Sequence, residues 1–365
     1  MSPTEAASLA LLGGRDRRLL AAIVRFLTNR STADDLDALP PRAPNEPLIR
    51  WVCRCRASTA DPESWIAEAA RAEAKASAQL ARAARLGITT AAFDEVGYPA
   101  LLASIPDPPA LLWIRGDSAT LHAPSIAIVG SRSATPYGLA MAGKIAGELV
   151  SAGVVVISGL ARGVDSAAHA AALSAGGKTV GVLGCGIDRI YPPEHQSLAA
   201  NIEHSGAVIS EFPPGVPPLP YHFPLRNRIV SGLSTAVVVI EAPEKSGALI
   251  TASTALEQGR EVMVVPGPAV GGRNRGGHLL IRDGAKVVES ADDILQDMGI
   301  LTRSVSVRNP GQHLGQLPEV TDFTVDDVAR KTGEAPAVIL ARLLDLELAG
   351  RIQRIGGGRF SRVLP

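Results

Sequence analysis

The segment "VVVISGLARGVDSAAH", Val154 to His169, decides the fold class. It begins with four β-branched residues, as in a strand that is buried on both faces. Small residues follow at Ser158 and Gly159, and an alanine-rich stretch typical of a helix comes next. A buried strand that turns directly into a helix is the repeating unit of parallel sheets. The segment therefore predicts one strand–turn–helix unit of an α/β protein.

The same alternation recurs from Ser125 to about Gly299. The apolar runs are "SIAIVG", "VVVISG", "TVGVLG", "AVISE", "TAVVVIEA", "EVMVVPG" and "AKVVES", and helical stretches separate them. Strands that are apolar on both faces need helices on each side of the sheet. The pattern predicts an α/β fold, namely a Rossmann-like doubly wound parallel sheet domain.

The flanking regions have a different composition. Residues 1–90 show helical spacing, as in "RRLLAAIVRFL" (Arg17 to Leu27) and "SWIAEAARAEAKASAQLARAARLG" (Ser64 to Gly87). We predict a small N-terminal helical domain over 1–90 and the Rossmann-like domain over 91–299. A linker over 300–316 and a C-terminal winged-helix domain over 317–365 complete the chain.

The C-terminal tail has the order of elements found in a winged helix. Thr324 and Asp327 have the spacing of a capping box, and Gly333 ends that helix. A second helix and a glycine-tipped hairpin follow. The second helix carries apolar residues at Val338, Ile339, Leu343, Leu346 and Leu348. From residue 316 onward, seven basic and seven acidic residues cancel, so this unit is expected to contact protein or to assist DNA binding only weakly.

Composition excludes several classes of protein. The 36 basic and 36 acidic residues balance, so the chain is no polycation that binds nucleic acid through its net charge. Cys53 and Cys55 lack the spacing of a zinc site, and we predict neither a metal nor a cofactor. Without a signal peptide or a run of about 18 apolar residues, the chain is expected to be cytoplasmic and not membrane-bound.

Several predicted strands end in turns that suit anions. In an open parallel sheet, ligands bind outside the carboxyl ends of the strands. In "GSRSATPYG", Thr135 is a suitable N-cap and Pro136 a suitable first helical residue, which leaves backbone N–H groups to face an anion. The turns "SGLARG", "HFPLRNR" and "SGALIT" repeat this pattern at other strands. We therefore expect several anion sites along one edge.

Alternative interpretations of these residues stay open. Glycine-rich turns also serve only to reverse the chain, and arginines of these turns also suit pairing with Glu211 or Glu241. Asp165 and His169, four residues apart on one helix, are equally a cap and a satisfied histidine. The first turn lacks the G-x-G-x-x-G spacing of a dinucleotide site, which disfavours NAD.

Seven stretches together resemble the DNA-processing protein A family (DprA, also called Smf). They are "IVGSRSATPYG", "SGLARGVDSAAHAAAL", "VLGCGIDRIYPPEH", "ISEFPPG", "HFPLRNRIVSGLS", "VVVIEAPEKSGALITASTALEQGREVMVVPG" and "GGHLLIRDGA". The resemblance runs from Tyr98 to Ala285. One departure is "PAVGGRNRGGHLLI", where His278 replaces the family's asparagine. The resemblance therefore assigns no role to residues 268–278.

The resemblance implies a non-enzymatic protein that binds single-stranded DNA on its Rossmann-like DNA-binding domain. It also implies a homodimer that protects incoming DNA and loads the RecA recombinase in natural transformation and recombination. The N-terminal domain would be SAM-like. The resemblance and the turns at the strand ends together give the expected DNA-binding residues, which are Ser131, Arg132, Ser158, Gly159, Arg162, Gly163, Arg226, Asn227, Arg228, Ser246 and Gly247.

Charge counting supports a localised site. From Leu121 to Gly299, 13 basic residues face 15 acidic ones, a net of −2, so a few arginines at one edge must attract the phosphates. Candidate stacking residues are Tyr137, Tyr191, Tyr221 and Phe223.

Two alternative functions remain. One is a Rossmann-like nucleoside monophosphate phosphoribohydrolase that uses Glu211 or Glu241 as acid or base. Such enzymes usually carry a P-G-G-x-G-T turn, and here the equivalent place has "PGPAVGG". The other is a pure adaptor that acts through its winged helix.

Overall fold

The computed structural model describes residues 2–12, 48–56, 62–93, 95–299, 322–332, 339, 343, 346–347, 352–355 and 359–362. The chain divides into two compact units, Met1–Ile300 and Leu301–Pro365. The helix predicted over Arg17 to Leu27 and the linker predicted over 300–316 lie outside the described residues. The domain boundary at residue 90 stays a prediction.

Within the described residues, the first unit contains a nine-stranded sheet. Its strands are β1 (Thr89–Ala92), β2 (Leu111–Gly116), β3 (Ser125–Gly130), β4 (Val155–Ser158), β5 (Thr179–Leu183), β6 (Ala207–Ser210), β7 (Ala236–Ile240), β8 (Glu261–Val265) and β9 (Lys286–Val287).

The described helices of this unit precede the sheet or connect its strands. They are α1 (Pro3–Leu12), α2 (Leu48–Arg56), α3 (Pro62–Arg85), α4 (Ala100–Ala103), α5 (Pro136–Ser151), α6 (Val164–Ser174), α7 (Gln196–Ser205), α8 (His222–Gly232), α9 (Gly247–Glu257), α10 (Arg275–Arg282) and α11 (Ala291–Asp297), with short 3-10 helices at Ser118–His122 and Pro193–His195. None of the helices described has the length and apolar character needed to cross a membrane.

The strand order is β1-β2-β6-β5-β4-β3-β7-β8-β9. The seven strands from β6 through β3 to β9 are each parallel to their neighbours. At the other edge, β2 pairs antiparallel with β6, and β1 pairs antiparallel with β2. The chain progresses outward from β3 to β6 and then returns to β7 on the other side of β3. This reversal creates a crevice outside the carboxyl ends of β3 and β7, where such sheets bind ligands.

The seven predicted apolar runs correspond to β3 through β9, so the doubly wound sheet is confirmed. The antiparallel strands β1 and β2 were not predicted. β1 has the sequence "TTAA", which contains neither an apolar run nor a clear alternation. Its pairing with β2, from Thr89 opposite Ile114 to Ala92 opposite Leu111, makes it a strand.

Alternate residues of the central strands pack against helices on opposite faces of the sheet. Ile126 and Ile128 of β3 lie in one buried cluster with Ile145 and Leu149 of α5. The intervening Ala127 and Val129 lie in the other cluster, which includes residues of α8 and α9. Helices α1 and α3 also pack on the sheet, because their alanines share a third cluster with Leu111 and Trp113 of β2.

The second unit has the arrangement predicted for a winged helix. Strand β10 (Asp322–Thr324) leads into α12 (Val325–Thr332), and β11 (Ile352–Ile355) pairs with β12 (Arg359–Arg362). Thr324 Oγ1 accepts the Asp327 N–H at 3.2 Å and the Asp327 carboxylate accepts the Thr324 N–H at 2.9 Å, which confirms the capping box. Ile339, Leu343 and Leu346 are buried in its core; Gly333, Val338 and Leu348 lie outside the described residues.

Candidate functional site

A cavity of about 490 Å³ opens at the carboxyl ends of β3, β4 and β7, at the crevice that the strand order creates. The turns after these strands and the first turns of α8 and α9 form its wall. The predicted site residues that line it are Ser131, Arg132, Gly159, Arg226, Asn227, Ser246 and Gly247. The topology thus brings most of the predicted residues together.

Positive charge is concentrated on this wall. Arg132, Arg226, Lys245 and Arg273 line the cavity against one acidic residue, Asp165, although the surrounding domain carries a small negative charge. The sequence prediction missed Lys245 and Arg273. The only feature of the sequence that could have pointed to Lys245 is its position directly before the N-cap Ser246. Arg273 lies in the stretch that departs from the family pattern, and its guanidinium donates to the Ser133 carbonyl at 2.9 Å.

The turn after β4 is held by the chain's own carboxylate. Asp165 Oδ2 accepts the backbone N–H groups of Gly159 at 3.1 Å and Ala161 at 3.3 Å. Gly163 adopts φ = +77°, and a Cβ atom there would lie 2.2 Å from the Ser131 carbonyl oxygen, so only glycine fits. Because Asp165 already binds them, these two N–H groups are not free to hold an external phosphate.

Arg226 supports the same turn from beneath. It is 4% exposed, and its Nη1 donates to the carbonyls of Gly159 and Val182. A Cβ atom on Gly159 would lie 2.1 Å from this nitrogen, which explains the glycine. Burial lowers the pKa of Arg226 to about 10, and the nearby Asp165 carboxylate opposes that shift. Arg226 therefore adds charge to the cavity while its hydrogen bonds fix the ends of β4 and β5.

Of the predicted site residues, Ser158, Arg162, Gly163 and Arg228 do not line the cavity. Ser158 is fully buried, and its hydroxyl donates to the Ile128 carbonyl at 2.6 Å. Arg228 lies in an ion-pair cluster, with Glu211 on its Nη2 and with Asp107 Oδ2 at 3.2 Å from its Nε. The side chains of Arg228 and Glu211 are each 10% exposed. The alternative interpretation of Arg228 as a partner of Glu211 is therefore correct.

The start of α5 is also occupied by a carboxylate of the chain itself. Thr135 is the N-cap, its Oγ1 accepts the Gly138 N–H at 3.3 Å, and Pro136 begins the helix as predicted. However, the buried Glu241 carboxylate accepts the Thr135 N–H at 2.9 Å and its hydroxyl at 2.6 Å. Glu241 has φ = +51°, a left-handed conformation that is rare for residues other than glycine. The expectation of a free anion site at this helix start is wrong.

A shallow recess adjoins the cavity and contains Arg162. The two share Arg132 and Phe223, and Tyr191 lines the recess. The Arg132 guanidinium lies 5.7 Å from the centre of the Phe223 ring, and the rings of Phe223 and Tyr191 are 5.4 Å apart. Two of the predicted stacking residues thus lie beside two arginines. Of the other two, Tyr137 donates its hydroxyl to the Pro266 carbonyl at 2.5 Å, and Tyr221 packs on His222.

The start of α9 lies on the opposite wall of the cavity. Ser246 is its N-cap and accepts the Ala248 N–H at 3.2 Å. Gly247 is exposed, and a Cβ atom there would meet nothing within 4 Å. Asn227 of α8 donates to the Gly247 carbonyl at 3.4 Å, which ties the two helices together. The predicted small-residue turn is therefore present and accessible.

The residues considered for catalysis have structural partners. The Thr179 hydroxyl donates to the Val156 carbonyl at 2.6 Å, so His169 Nδ1, 2.7 Å away, must donate to that hydroxyl. Burial lowers the pKa of His169 to about 3, which keeps it neutral. His169 is therefore a buried core histidine as predicted, but only its Nδ1 is hydrogen-bonded, because its Nε2 has no partner among the described residues. The candidate carboxylates of a hydrolase, Glu211 and Glu241, do not line the cavity.

Sequence comparison finds two matching families. Residues 89–299 match DNA recombination-mediator protein A, and residues 319–358 match the DprA winged helix domain. Protein Smf of Escherichia coli K12 is 42% identical over an alignment of 282 residues that covers 73% of this chain and 75% of that protein. DNA processing protein DprA of Bacillus subtilis is 45% identical over 213 residues, which are 58% of this chain and 72% of that protein.

Two solved structures resemble this one. The X-ray structure of DNA processing protein A from Streptococcus pneumoniae superposes with a TM-score of 0.69 at 33% identity, covering 81% of this chain and 98% of that one. DNA processing protein A from Helicobacter pylori, described for its single-stranded DNA binding mode, gives a TM-score of 0.53 at 29% identity. It covers 58% of this chain and 95% of its own.

Proposed function

Since this chain belongs to the DNA recombination-mediator protein A family, we propose that it is a DNA-processing protein that binds single-stranded DNA at the carboxyl edge of its sheet. The observation that supports this proposal is the cavity at that edge, whose wall has four basic residues and one acidic residue. A wall of this charge attracts phosphates within a domain that otherwise has no positive excess.

The form of the site suits a strand better than a single nucleotide. The cavity and the recess adjoin each other through Arg132 and Phe223, so positive charges occur side by side along the edge. Proteins that bind single strands combine such a basic groove with aromatic rings on which bases stack. Phe223 and Tyr191 supply these rings beside Arg132 and Arg162.

We propose different roles for the exposed and the buried residues of the site. We assign phosphate binding to Arg132, Arg162, Lys245 and Arg273. The polar wall is formed by Ser131, Asn227, Ser246 and Gly247. Arg226, Gly159 and Gly163 shape the turn beneath the strand, and Ser158 and Arg228 stabilise the fold.

The finer functions rest on the family resemblance. These are protection of incoming DNA, loading of the RecA recombinase during natural transformation and recombination, assembly as a homodimer, and a cytoplasmic location. We also propose that the protein catalyses no reaction. In support, the carboxylate on the cavity wall, Asp165, already accepts two backbone N–H groups and is not positioned as a general base.

A titration with single-stranded and duplex oligonucleotides of equal length tests the proposed binding. We expect tighter binding of the single strand and no release of base from nucleoside monophosphates. The double variant Arg132→Ala/Lys245→Ala should weaken single-strand binding at least tenfold. The matched control is Lys144→Ala/Lys178→Ala, because these exposed lysines lie on α5 and just before β5, outside the cavity lining. Equal affinity for duplex, or hydrolysis in the same tube, would overturn the proposal.

A further inference from the structure

Helix α3 carries a line of four exposed basic residues, Arg71, Lys75, Arg82 and Arg85, which we call the basic stripe. Their spacings of four, seven and three residues place them on one face of the helix. The alanines of α3 lie on another face, where Ala76 and Ala83 pack into the core beside the sheet. The stripe is therefore presented outward by a helix that is fixed to the first unit.

The basic stripe has one sign of charge over a considerable length. From Arg71 to Arg85 the helix rises about 21 Å. The described acidic side chains of α3, Glu68 and Glu73, are both partly buried. Glu73 lies on the side of the helix away from the stripe, and Glu68, three residues before Arg71, borders only its N-terminal end. A linear polyanion is the ligand whose charge and shape this surface matches.

An ion pair connects the stripe to the edge of the sheet that holds the cavity. Arg82 Nη2 lies 2.8 Å from Asp188 Oδ2, and Asp188 Oδ1 accepts the Gly215 N–H at 2.7 Å. Asp188 belongs to the loop that follows β5 at its carboxyl end. Three residues later in this loop, Tyr191 lines the recess, and the exposed Arg189 lies between them.

We infer that the basic stripe of α3 extends the path of single-stranded DNA beyond the sheet. This rests on the proposed function. A strand that leaves the recess at Tyr191 passes Arg189 and then follows α3, with its phosphates against Arg85, Lys75 and Arg71. Arg82 holds the helix to the loop through Asp188 and so positions the other three. The first helices thereby become part of the binding surface, and longer strands gain contacts that short ones cannot reach.

Two oligothymidylates separate the stripe from the cavity. One has about 6 nucleotides, near the lower end of the roughly 4–16 nucleotides that a single-strand-binding OB fold occupies, and the other about 20, beyond its upper end. The variant Arg71→Gln/Lys75→Gln/Arg85→Gln leaves the Arg82–Asp188 pair intact. We expect it to bind the long strand about tenfold more weakly, with a salt slope reduced by about 2 because three contacts are lost. Binding of the short strand should be unchanged.

The control variant Lys144→Gln/Lys178→Gln/Arg282→Gln removes three exposed charges elsewhere on the first unit and should bind both strands normally. The charge-conserving variant Arg71→Lys/Arg85→Lys should keep the affinity for the long strand. Equal affinity of the wild type for both strands, or equal weakening of both by the stripe variant, would overturn the inference and leave the cavity as the whole site. Absence of wild-type binding to either strand would instead refute the proposed function.

Discussion

Arg162 donates its Nε–H to the Glu194 carboxylate over 2.5 Å, and the two side chains are 57% and 49% exposed. The hydrogen bond from Arg162 lowers the pKa of Glu194, so the carboxylate is ionised at neutral pH. Since we propose that Arg162 binds a phosphate, Glu194 occupies the position of the ligand and competes with it.

Replacing this carboxylate should strengthen DNA binding. Exposed ion pairs contribute little to folding and exchange readily, so Glu194→Gln is expected to raise single-strand affinity about two- to fivefold in a titration at fixed salt. The control is Asp117→Asn, because Asp117 forms an equally exposed ion pair with Lys178 before β5. Unchanged or weaker binding by Glu194→Gln would show that the pair supports the site instead of masking it.

Arg162→Ala should reduce the slope of log affinity against log salt by about 0.7, the value for one phosphate contact on a single strand. Arg162→Lys should restore binding only in part, since an ammonium cannot bind a phosphate in the bidentate way of a guanidinium. Salt titrations of both variants, with Lys178→Ala as control, measure this. A normal slope combined with a lower melting temperature would make Arg162 a structural residue.

Arg226→Ala should act mainly on stability. It would leave the carbonyls of Gly159 and Val182 without their donor and the buried Asp165 without its nearby positive charge. Removing one member of such a buried set costs roughly 3 kcal/mol. All three tryptophans lie before residue 300, so their fluorescence during denaturant unfolding follows the first unit. Arg273→Ala is the exposed control. An unchanged unfolding midpoint with lost DNA binding would place Arg226 on the DNA.

His169 should make the protein sensitive to acid. Its pKa is about 3 in the fold because of burial and about 6.5 in the unfolded chain. Above pH 6.5 both states are neutral, and below it only the unfolded state gains a proton, so stability falls as the pH falls towards 3. Between pH 7 and 5, His169→Gln should lose about 2 kcal/mol less stability than the wild type, as measured by denaturant unfolding. His204→Gln, on the surface, should show the wild-type loss. Equal losses for both variants would mean that His169 is protonated in the fold.

Truncation after Gly311 should leave most single-strand affinity intact. The first unit, Met1–Ile300, is compact by itself and contains the whole cavity, and the C-terminal tail has no basic excess. The measurement is a titration of the truncated and complete chains with the same oligonucleotide. A loss above about tenfold, or about 1.4 kcal/mol, would assign a direct DNA contact to the winged helix.

The sequence predicted the sheet well because each of its parallel strands is a local apolar run between turn residues. It could not separate Arg162 from Arg226, since both are arginines of glycine-rich or helix-initial turns. Only the packing of α8 beneath the ends of β4 and β5 buries Arg226. Likewise, nothing near Thr135 in sequence signals that Glu241, 106 residues later, reaches its backbone N–H. Such long-range pairings decide which polar residues remain available to a ligand.

The Glu241 carboxylate at the start of α5 has a consequence for competition by metabolites. A carboxylate fixed to the chain has an effective concentration far above that of a dissolved anion. Orthophosphate, ATP and other mononucleotides therefore cannot displace it from this turn, where related folds bind the phosphate of a small ligand. A polymer that engages several other cations at once does not need this position. On the proposed function, Glu241 thus closes this one turn to free nucleotides and leaves the other cations of the edge to the DNA strand.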